Sequence, residues 1–292
     1  MHICENVMPK FGTLNIEPTQ KQIREVFLNR IVQAKGLSKA SELISGIMMP
    51  TPSAVMAAMK LLAEGTKEQK GIGDLVAVDV GGATTDIYSV AEGLPDDPRT
   101  ALRGLPEPYI KRTVEGDIGM RYSIHGIVEA AGLERVAETA GLTPERLSEI
   151  VETFAENTDM LPYDDETQRA DEALASWAVR VAVTRHAGRL EEIFGLGGLK
   201  LVQTGKNLVN VDKFIVTGGS LIHTEHTGRI ASYGFYDEAE PESLKPRACD
   251  VLVDRSYIIA AMGLLSEHYP DAALTILKEE LQEERAYEQS SK

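Results

Sequence analysis

The chain has 292 residues, which is enough for about two domains at the common size of ~150 residues each. Hydrophobic residues make up 43% and charged residues 26%, the ordinary composition of a globular protein with a buried core. The 45 acidic residues outnumber the 30 Lys and Arg residues and give a net charge of −15. So acidic a surface argues against a nucleic-acid or anionic-membrane partner, because phosphates would be repelled over most of it.

The number of cysteines and the hydropathy of the sequence indicate the cellular compartment. The two cysteines, Cys4 and Cys249, provide neither a disulfide framework nor a cysteine metal cluster, and they fit a reducing environment. The longest apolar stretch, residues 258–265, is much shorter than the ~20 residues that span a bilayer. The N-terminus lacks the basic and apolar regions of a secretory signal. We therefore expect a cytoplasmic protein that has no membrane partner.

The first 70 residues predict helices. Pro18 suits a first helical turn, and Gly36 suits the end of the same helix. Between them an apolar stripe repeats at helical spacing: Ile23, Val26, Phe27 and Ile31. Thr51 and Pro52 predict the start of a second helix, which ends at Gly65.

Strand patterns begin at residue 75. Leu75 to Val80 is short, apolar and rich in β-branched residues, which predicts a buried strand. Gly81 and Gly82 interrupt it, and residues 85–90 alternate as a returning strand does. The two strands therefore predict a hairpin.

The rest of the chain predicts helices and strands in succession. Residues 93–108 and 224–247 are loop-rich. Helical patterns cover 118–131, 144–156, 164–194 and 256–267, and a final helix begins at Pro270. Strand patterns cover 199–202 and 213–217. This order predicts an α/β protein with a helical insertion at about 110–195.

The most informative motif is Val-Asp-Val-Gly-Gly-Ala-Thr-Thr-Asp at residues 78–86. A buried strand brings Asp79 to a turn whose glycines leave main-chain N–H groups open to an anion, and the threonine hydroxyls add donors. Asp79 and Asp86 would repel phosphate unless a cation lay between them, and Mg²⁺ prefers such oxygen ligands. A purely structural hairpin turn would explain the glycines, but not the aspartate that ends an apolar strand.

A second motif is Phe-Ile-Val-Thr-Gly-Gly-Ser at residues 214–220. Two glycines at a strand end allow a flat ring or a ribose to approach the main chain closely. Many strand-glycine sequences of this kind are only tight turns. The motif is informative because of its order after the first motif and its distance from that motif along the chain.

Together the two motifs resemble the actin/Hsp70/sugar-kinase ATPase superfamily. The resemblance implies an actin-like, ribonuclease H-like fold that binds ATP and Mg²⁺, with residues 256–267 and 50–55 as the two connecting helices. Met49 stands where chaperone members carry an acid that helps to position the attacking water. Asp79 would be catalytic, and Asp79 and Asp86 would hold the metal through water. The implied nucleotide contacts are Gly81, Gly82, Ala83, Thr84 and Thr85 for phosphate, and Gly218, Gly219 and Ser220 for adenosine.

Three further segments are similar to the MutL (GlmL) family, which is unrelated to the DNA mismatch-repair protein of the same name. They are residues 15–18, 49–52 and 112–121, the last reading Arg-Thr-Val-Glu-Gly-Asp-Ile-Gly-Met-Arg. The resemblance implies an ATP-dependent, chaperone-like accessory protein that reactivates an adenosylcobalamin-dependent glutamate mutase. No cobalamin-binding motif is found in the sequence, so the corrinoid would belong to the mutase subunits.

The superfamily's first phosphate loop has no match before residue 74. We therefore expect the chain to represent the C-terminal two-thirds of such a protein. Residues 1–70 would be the helical remnant of the first lobe, 71–285 the second actin-like lobe, and 286–292 a disordered tail. We expect such a chain to be a poor ATPase by itself. A small-molecule kinase on the same scaffold, or a non-catalytic nucleotide-binding scaffold or filament subunit, remains open at this stage.

Overall fold

A computed structural model describes residues 2–34, 49–195 and 198–284. The chain divides into two compact units, Met1–Ala54 and Val55–Lys292. Helices and strands alternate in the second unit, so the predicted α/β class is confirmed. In the described part of the chain, each helix is too short or too polar to cross a bilayer.

The first unit contains α1 (Glu17–Ala34) and the start of α2 (Thr51–Glu64). Both helices begin where the sequence predicts. The predicted apolar stripe lies within α1, and its first residue, Ile23, is 64% exposed. The side chains of Phe27 and Ile31, and all of Gly36, lie outside the described residues.

The remaining elements belong to the second unit. The strands are β1 (Leu75–Val80), β2 (Thr85–Val90), β3 (Ala101–Arg103), β4 (Ile110–Glu115), β5 (Arg189–Gly195), β6 (Gly198–Thr204), β7 (Lys213–Thr217), β8 (Asp250–Val253) and β9 (Gln282–Glu284). The helices are α3 (Ile124–Ala131), α4 (Leu133–Ala140), α5 (Pro144–Glu156), α6 (Asp165–His186), α7 (Gly219–Ile222), α8 (Thr227–Ser232), α9 (Ile259–Leu265) and α10 (Pro270–Glu280).

A mixed six-stranded sheet organises this unit. Its strand order is β4-β2-β1-β7-β8-β9, with β1, β7 and β8 parallel at the centre. The outer strands β2, β4 and β9 run antiparallel to their neighbours in the sheet. A separate three-stranded sheet has the order β3-β6-β5. Because β1, β7 and β8 are parallel, their carboxyl ends lie at one edge of the sheet.

Both faces of the large sheet are covered, which explains why its central strands are mostly apolar. Val76, Val78 and Val80 pack with α3 to α8 in one core. Leu75 and Ala77 point to the other face and pack with Val55–Ala63 of α2, α9 and α10. The alternation along β1 therefore places Asp79 on the α2 face, at the carboxyl edge.

The long helix predicted over residues 164–194 is wrong in its second half. The helix α6 ends at His186, and residues 189–195 form β5, which pairs antiparallel with β6. Gly188 lies against the main chain of residues 204–206 so closely that a Cβ atom there would lie 2.6 Å from the Thr204 carbonyl oxygen. Pairing with β6 thus overrides the helical pattern of this segment.

Other predicted boundaries also need correction. The helices expected from Ile118 and Ser256 begin only at Ile124 and Ile259, because the preceding residues are used in turns beside the sheet edge. The two loop-rich stretches contain β3 and α8. The tail from residue 286 lies outside the described residues.

Candidate functional site

The two glycine turns that follow β1 and β7 line one cavity. Its volume is about 430 Å³, and Gly81 and Gly82 lie on its wall together with Gly219 and Ser220. They meet because β1 and β7 are parallel neighbours that end at the same sheet edge. The remaining wall comes from the helical insertion and the chain beside it: Met120, Arg121, residues 158–162, Gln168 and Asp171, with His223 and Thr224 at one side.

Gly218 and Gly219 have different roles at the second turn. Gly218 has a φ of +101°, and a Cβ atom there would lie 2.4 Å from the carbonyl oxygen of Val80. Only glycine fits this conformation and this approach to β1. A Cβ atom on Gly219 would meet no atom of the surrounding structure within 4 Å. The space beside the Gly219 main chain, where a side chain would lie, is therefore open.

The first turn presents unpaired main-chain donors. Within the described ranges, no acceptor takes the N–H groups of Gly82, Ala83 or Thr84. The N–H group of Gly81 donates to the carbonyl oxygen of Thr84 at 2.9 Å and closes the turn. Three successive free donors can bind an anion such as phosphate.

Thr85 differs from the expectation for a phosphate ligand. It is fully buried as the first residue of β2, and its hydroxyl donates to the carbonyl oxygen of Ile118 at 3.0 Å. Its direction follows from strand alternation, which turns Thr85 to the face opposite Asp86. The hydroxyl therefore supports the turn from behind and is not available to a ligand.

Asp79 and Asp86 are directly opposite each other on β1 and β2, so their side chains share one face of the sheet. Asp86 is held by Arg112 of β4, whose Nη2 lies 2.5 Å and whose Nε lies 2.7 Å from Oδ1. No side chain within the described residues donates a hydrogen bond to Asp79. The predicted pair of carboxylates is thus brought together, with one member neutralised and the other free.

A third carboxylate, Asp254, directly follows β8, and neither of the two glycine motifs predicts it. It is buried and accepts hydrogen bonds from the Thr217 hydroxyl at 3.3 Å and from the N–H of Ile258 at 2.9 Å. The sequence that could have predicted this residue is Val-Leu-Val-Asp at residues 251–254, a short apolar strand followed by an aspartate. The strand β1 is similar, since Asp79 is its second-last residue. Tyr257, beside it, has a φ of +53°, which prevents the helix from starting at Ser256.

Burial and like charge raise the pKa of Asp79 to about 6. Burial is the larger cause, the carboxylates of Asp86 and Asp254 add to it, and the Arg112 guanidinium opposes it. A carboxyl group that is unpaired, largely buried and close to two other acids is electrostatically relieved by a bound cation.

These residues fit Mg²⁺ held through water better than Mg²⁺ enclosed by protein ligands. In the described part of the chain, no three His, Cys, Asp or Glu side chains are arranged to hold a metal ion directly. Mg²⁺ usually keeps several waters and takes one or two carboxylates together with substrate phosphates. Asp79, with Asp86 as its neighbour, could supply that part of the coordination.

A larger cavity, of about 820 Å³, lies away from the glycine turns and is lined by Trp177, Arg180, Tyr233 and Asp237 among others. Its arginine is already neutralised, because Arg180 pairs with Asp237 and Glu240 at 2.6 and 3.0 Å. We place the candidate site at the sheet edge that carries both glycine turns: the turns line the smaller cavity, and Asp79 lies just before the first turn, with its side chain on the opposite face of β1 from Val80, which lines that cavity.

The fold and the site together define a mixed α/β protein with free main-chain donors at one sheet edge, and comparison with known proteins gives its family. The family model described as MutL protein matches residues 1–281. Protein MutL of Clostridium tetanomorphum is 45% identical over 279 residues, which are 96% of this chain and 60% of that protein. The chain therefore belongs to the MutL protein family, as its sequence predicts, and it spans about 60% of the length of this curated relative.

Proposed function

We propose that this chain binds magnesium ATP at the glycine cavity and acts as part of a chaperone-like accessory protein of an adenosylcobalamin-dependent glutamate mutase. The observation that carries the nucleotide part is that two glycine turns line one cavity, at the same sheet edge at which Asp79 of β1 lies. The mutase part rests on the resemblance to the MutL (GlmL) family. The corrinoid would be bound by the mutase subunits.

Each group at this sheet edge has a separate task in this proposal. The free N–H groups of Gly82, Ala83 and Thr84 bind phosphate oxygens, and the open main chain at Gly219 and Ser220 accommodates the adenosine. Asp79 orients water around the cation, and Asp86 beside it is paired with Arg112. Bound Mg²⁺ would neutralise phosphate charge that these carboxylates otherwise repel.

Replacement of Asp79 by Asn tests the nucleotide site. Because the amide keeps the shape but loses the charge, we expect magnesium-ATP affinity to fall at least tenfold, or about 1.4 kcal/mol. Affinity for ATP in EDTA should change little. The melting temperature at pH 7.5 should not fall, because the substitution removes a buried, unpaired charge. Calorimetric titration and thermal unfolding measure the two quantities.

Asp250→Asn is the matched control, since Asp250 lies in the same sheet but at the opposite end of β8, where it pairs with Lys213. It should leave magnesium-ATP affinity at the wild-type value. Equal affinities for the wild type and Asp79→Asn would overturn the proposed site. The proposed mutase partner is tested by adding the mutase, which should stimulate ATP turnover and release damaged corrinoid. A phosphorylated small-molecule product would instead indicate a kinase.

A further inference from the structure

The segment between β4 and α3, residues 116–123, braces the first glycine turn through its main chain. The N–H of Met120 donates to the Gly81 carbonyl oxygen at 3.0 Å, and those of Arg121 and Tyr122 both donate to the Gly82 carbonyl oxygen at 2.8 Å. Gly119 lies so close to Ala83 that a Cβ atom there would be 2.4 Å from the Ala83 carbonyl carbon. The position of the turn is therefore fixed by this segment.

The helices of the predicted insertion are α3 to α6, residues 124–186, and the term helical insertion is kept for them. The side chain of Arg121 extends from the segment 116–123 into this helical insertion. Its Nε donates to the carbonyl oxygen of Met160 at 3.1 Å, and its Nη1 donates to Asp171 of α6 at 2.8 Å. Its guanidinium carbon lies 4.4 Å from the ring centre of Phe154 in α5. Only 8% of Arg121 is exposed, so these contacts are made away from bulk water.

Arg121 thus joins the two walls of the candidate cavity. Its main chain bonds the glycine turn on one side, and its side chain bonds the loop after α5 and the first turns of α6 on the other. Met160 and Asp171 also line the cavity. Because a planar guanidinium bonds and stacks in one fixed orientation, a displacement of the turn is passed to the insertion.

We propose that Arg121 is a positioning residue that couples occupancy of the glycine turn to the conformation of the helical insertion. The coupling rests on the proposed function, since it requires nucleotide phosphate at the turn. Phosphate bound to the N–H groups of residues 82–84 pulls on the peptide units that also bond the 120–122 main chain. Arg121 carries that shift to Met160 and Asp171, and so to the outer surface of the insertion, where a partner can sense it.

The test compares Arg121→Lys with the wild type by amide hydrogen exchange, with and without millimolar magnesium ADP or magnesium ATP. Lysine keeps the charge but loses the fixed fork and the stacked plane. In the wild type, nucleotide should slow exchange several-fold both in the turn, residues 81–85, and in the insertion wall, residues 158–171. In Arg121→Lys the turn should keep its protection while the insertion wall loses most of it.

Arg180→Lys is the matched control. Like Arg121, Arg180 pairs with carboxylates and lies over an aromatic ring, in this case that of Trp177, and it belongs to α6. Its partners Asp237 and Glu240, however, are far from the turn in sequence and do not line the candidate cavity. This variant should retain nucleotide protection of both segments. Asp171→Asn supplies a second test of the same link if Arg121→Lys does not fold, and it should lose protection of the insertion wall in part.

The outcomes separate this inference from the proposed function. Full protection of residues 158–171 in Arg121→Lys, or in a folded Asp171→Asn, would overturn the coupling and leave nucleotide binding intact. Absence of nucleotide protection at the turn of the wild type would overturn the proposed function and the coupling together. Loss of protection in Arg180→Lys as well would show a general loosening of α6 and would overturn the role given to Arg121.

Discussion

At the scale of single residues, the two adjacent glycines of the second turn differ in whether the main chain and its surroundings leave room for a side chain. Gly218 needs its left-handed conformation and has no room for a Cβ atom beside the Val80 carbonyl. Gly219 has neither restriction, because its φ is ordinary and its missing side chain would point into open space. The requirement of the fold for glycine and the proposed adenosine contact can therefore be tested separately, at Gly218 and Gly219.

Gly219→Val should lower ATP affinity by an order of magnitude or more, about 1.4 kcal/mol per tenfold, with little change in melting temperature. The valine side chain would occupy space on the cavity wall that adenosine needs. Gly218→Ala should instead destabilise the fold by roughly 1–3 kcal/mol, because the new methyl group is both strained and crowded. Calorimetry and denaturant unfolding distinguish the two variants. Unchanged ATP affinity in Gly219→Val would remove adenosine from this turn.

At the scale of elements, the C-terminal end of α6 is fixed to the large sheet by a buried histidine. His186 Nδ1 lies 2.8 Å from the Thr113 hydroxyl of β4, and its Nε2 lies 2.8 Å from the Ser89 hydroxyl of β2. Burial, and then the charges of Lys111 and Lys206, lower the pKa of His186 to about 3. The neutral imidazole is therefore the form that joins the helix to both strands.

This pKa predicts loss of stability in acid. The unfolded chain binds a proton at His186 below pH ~6.5, whereas the folded protein resists protonation until about pH 3. The stabilisation is therefore complete above pH 6.5 and declines as the pH falls through that window. From pH 7.5 to 5 the contribution of this one group should fall by about 2 kcal/mol.

The variant His186→Gln isolates that contribution. It should be less stable than the wild type at pH 7.5, because glutamine replaces both hydrogen bonds imperfectly. Its unfolding free energy should change less between pH 7.5 and 5, so the difference from the wild type narrows by about 2 kcal/mol. Urea unfolding at the two pH values measures this. A difference that stays constant would show that His186 is not held neutral.

At the scale of the whole molecule, the main-chain donors that we propose for phosphate, within the described residues, lie on one side of the cavity. They are the N–H groups of the first glycine turn, while the opposite wall carries Asp171 and the Met160 carbonyl oxygen, both already bonded to Arg121. Transfer of a phosphoryl group develops charge on three equatorial oxygens, and its stabilisation needs donors on more than one side.

We therefore expect the 292-residue chain to hydrolyse magnesium ATP close to the uncatalysed rate, even at saturating nucleotide. Phosphate release from the purified chain measures the rate, and Asp79→Asn supplies the background. Fast hydrolysis that Asp79→Asn abolishes would show that these residues suffice for catalysis. A faster rate on addition of mutase would indicate that a partner supplies the missing donors.

The sequence alone predicted the features that depend on neighbours along the chain. The hydrophobic run of β1, the returning strand β2 and the strand β7 lie where their patterns place them. The class, the family and the two glycine turns followed from such local signals. Helix starts at Pro270 and Thr51 were also correct, since proline and capping residues act within one turn.

Only the tertiary structure decided the features that depend on distant partners. Residues 189–195 form a strand because they pair with β6. Residues 118–123 are not helical, because main-chain N–H groups of this segment donate hydrogen bonds to the glycine turn. Thr85 lost its predicted ligand role to the carbonyl of Ile118, 33 residues away. The contacts of Asp254 with Thr217 and of Arg121 with Asp171 join residues that are 37 and 50 positions apart, so local periodicity does not predict them. Periodicity reports the side chain's face within one element, whereas hydrogen-bond partners between elements are fixed only when the elements pack.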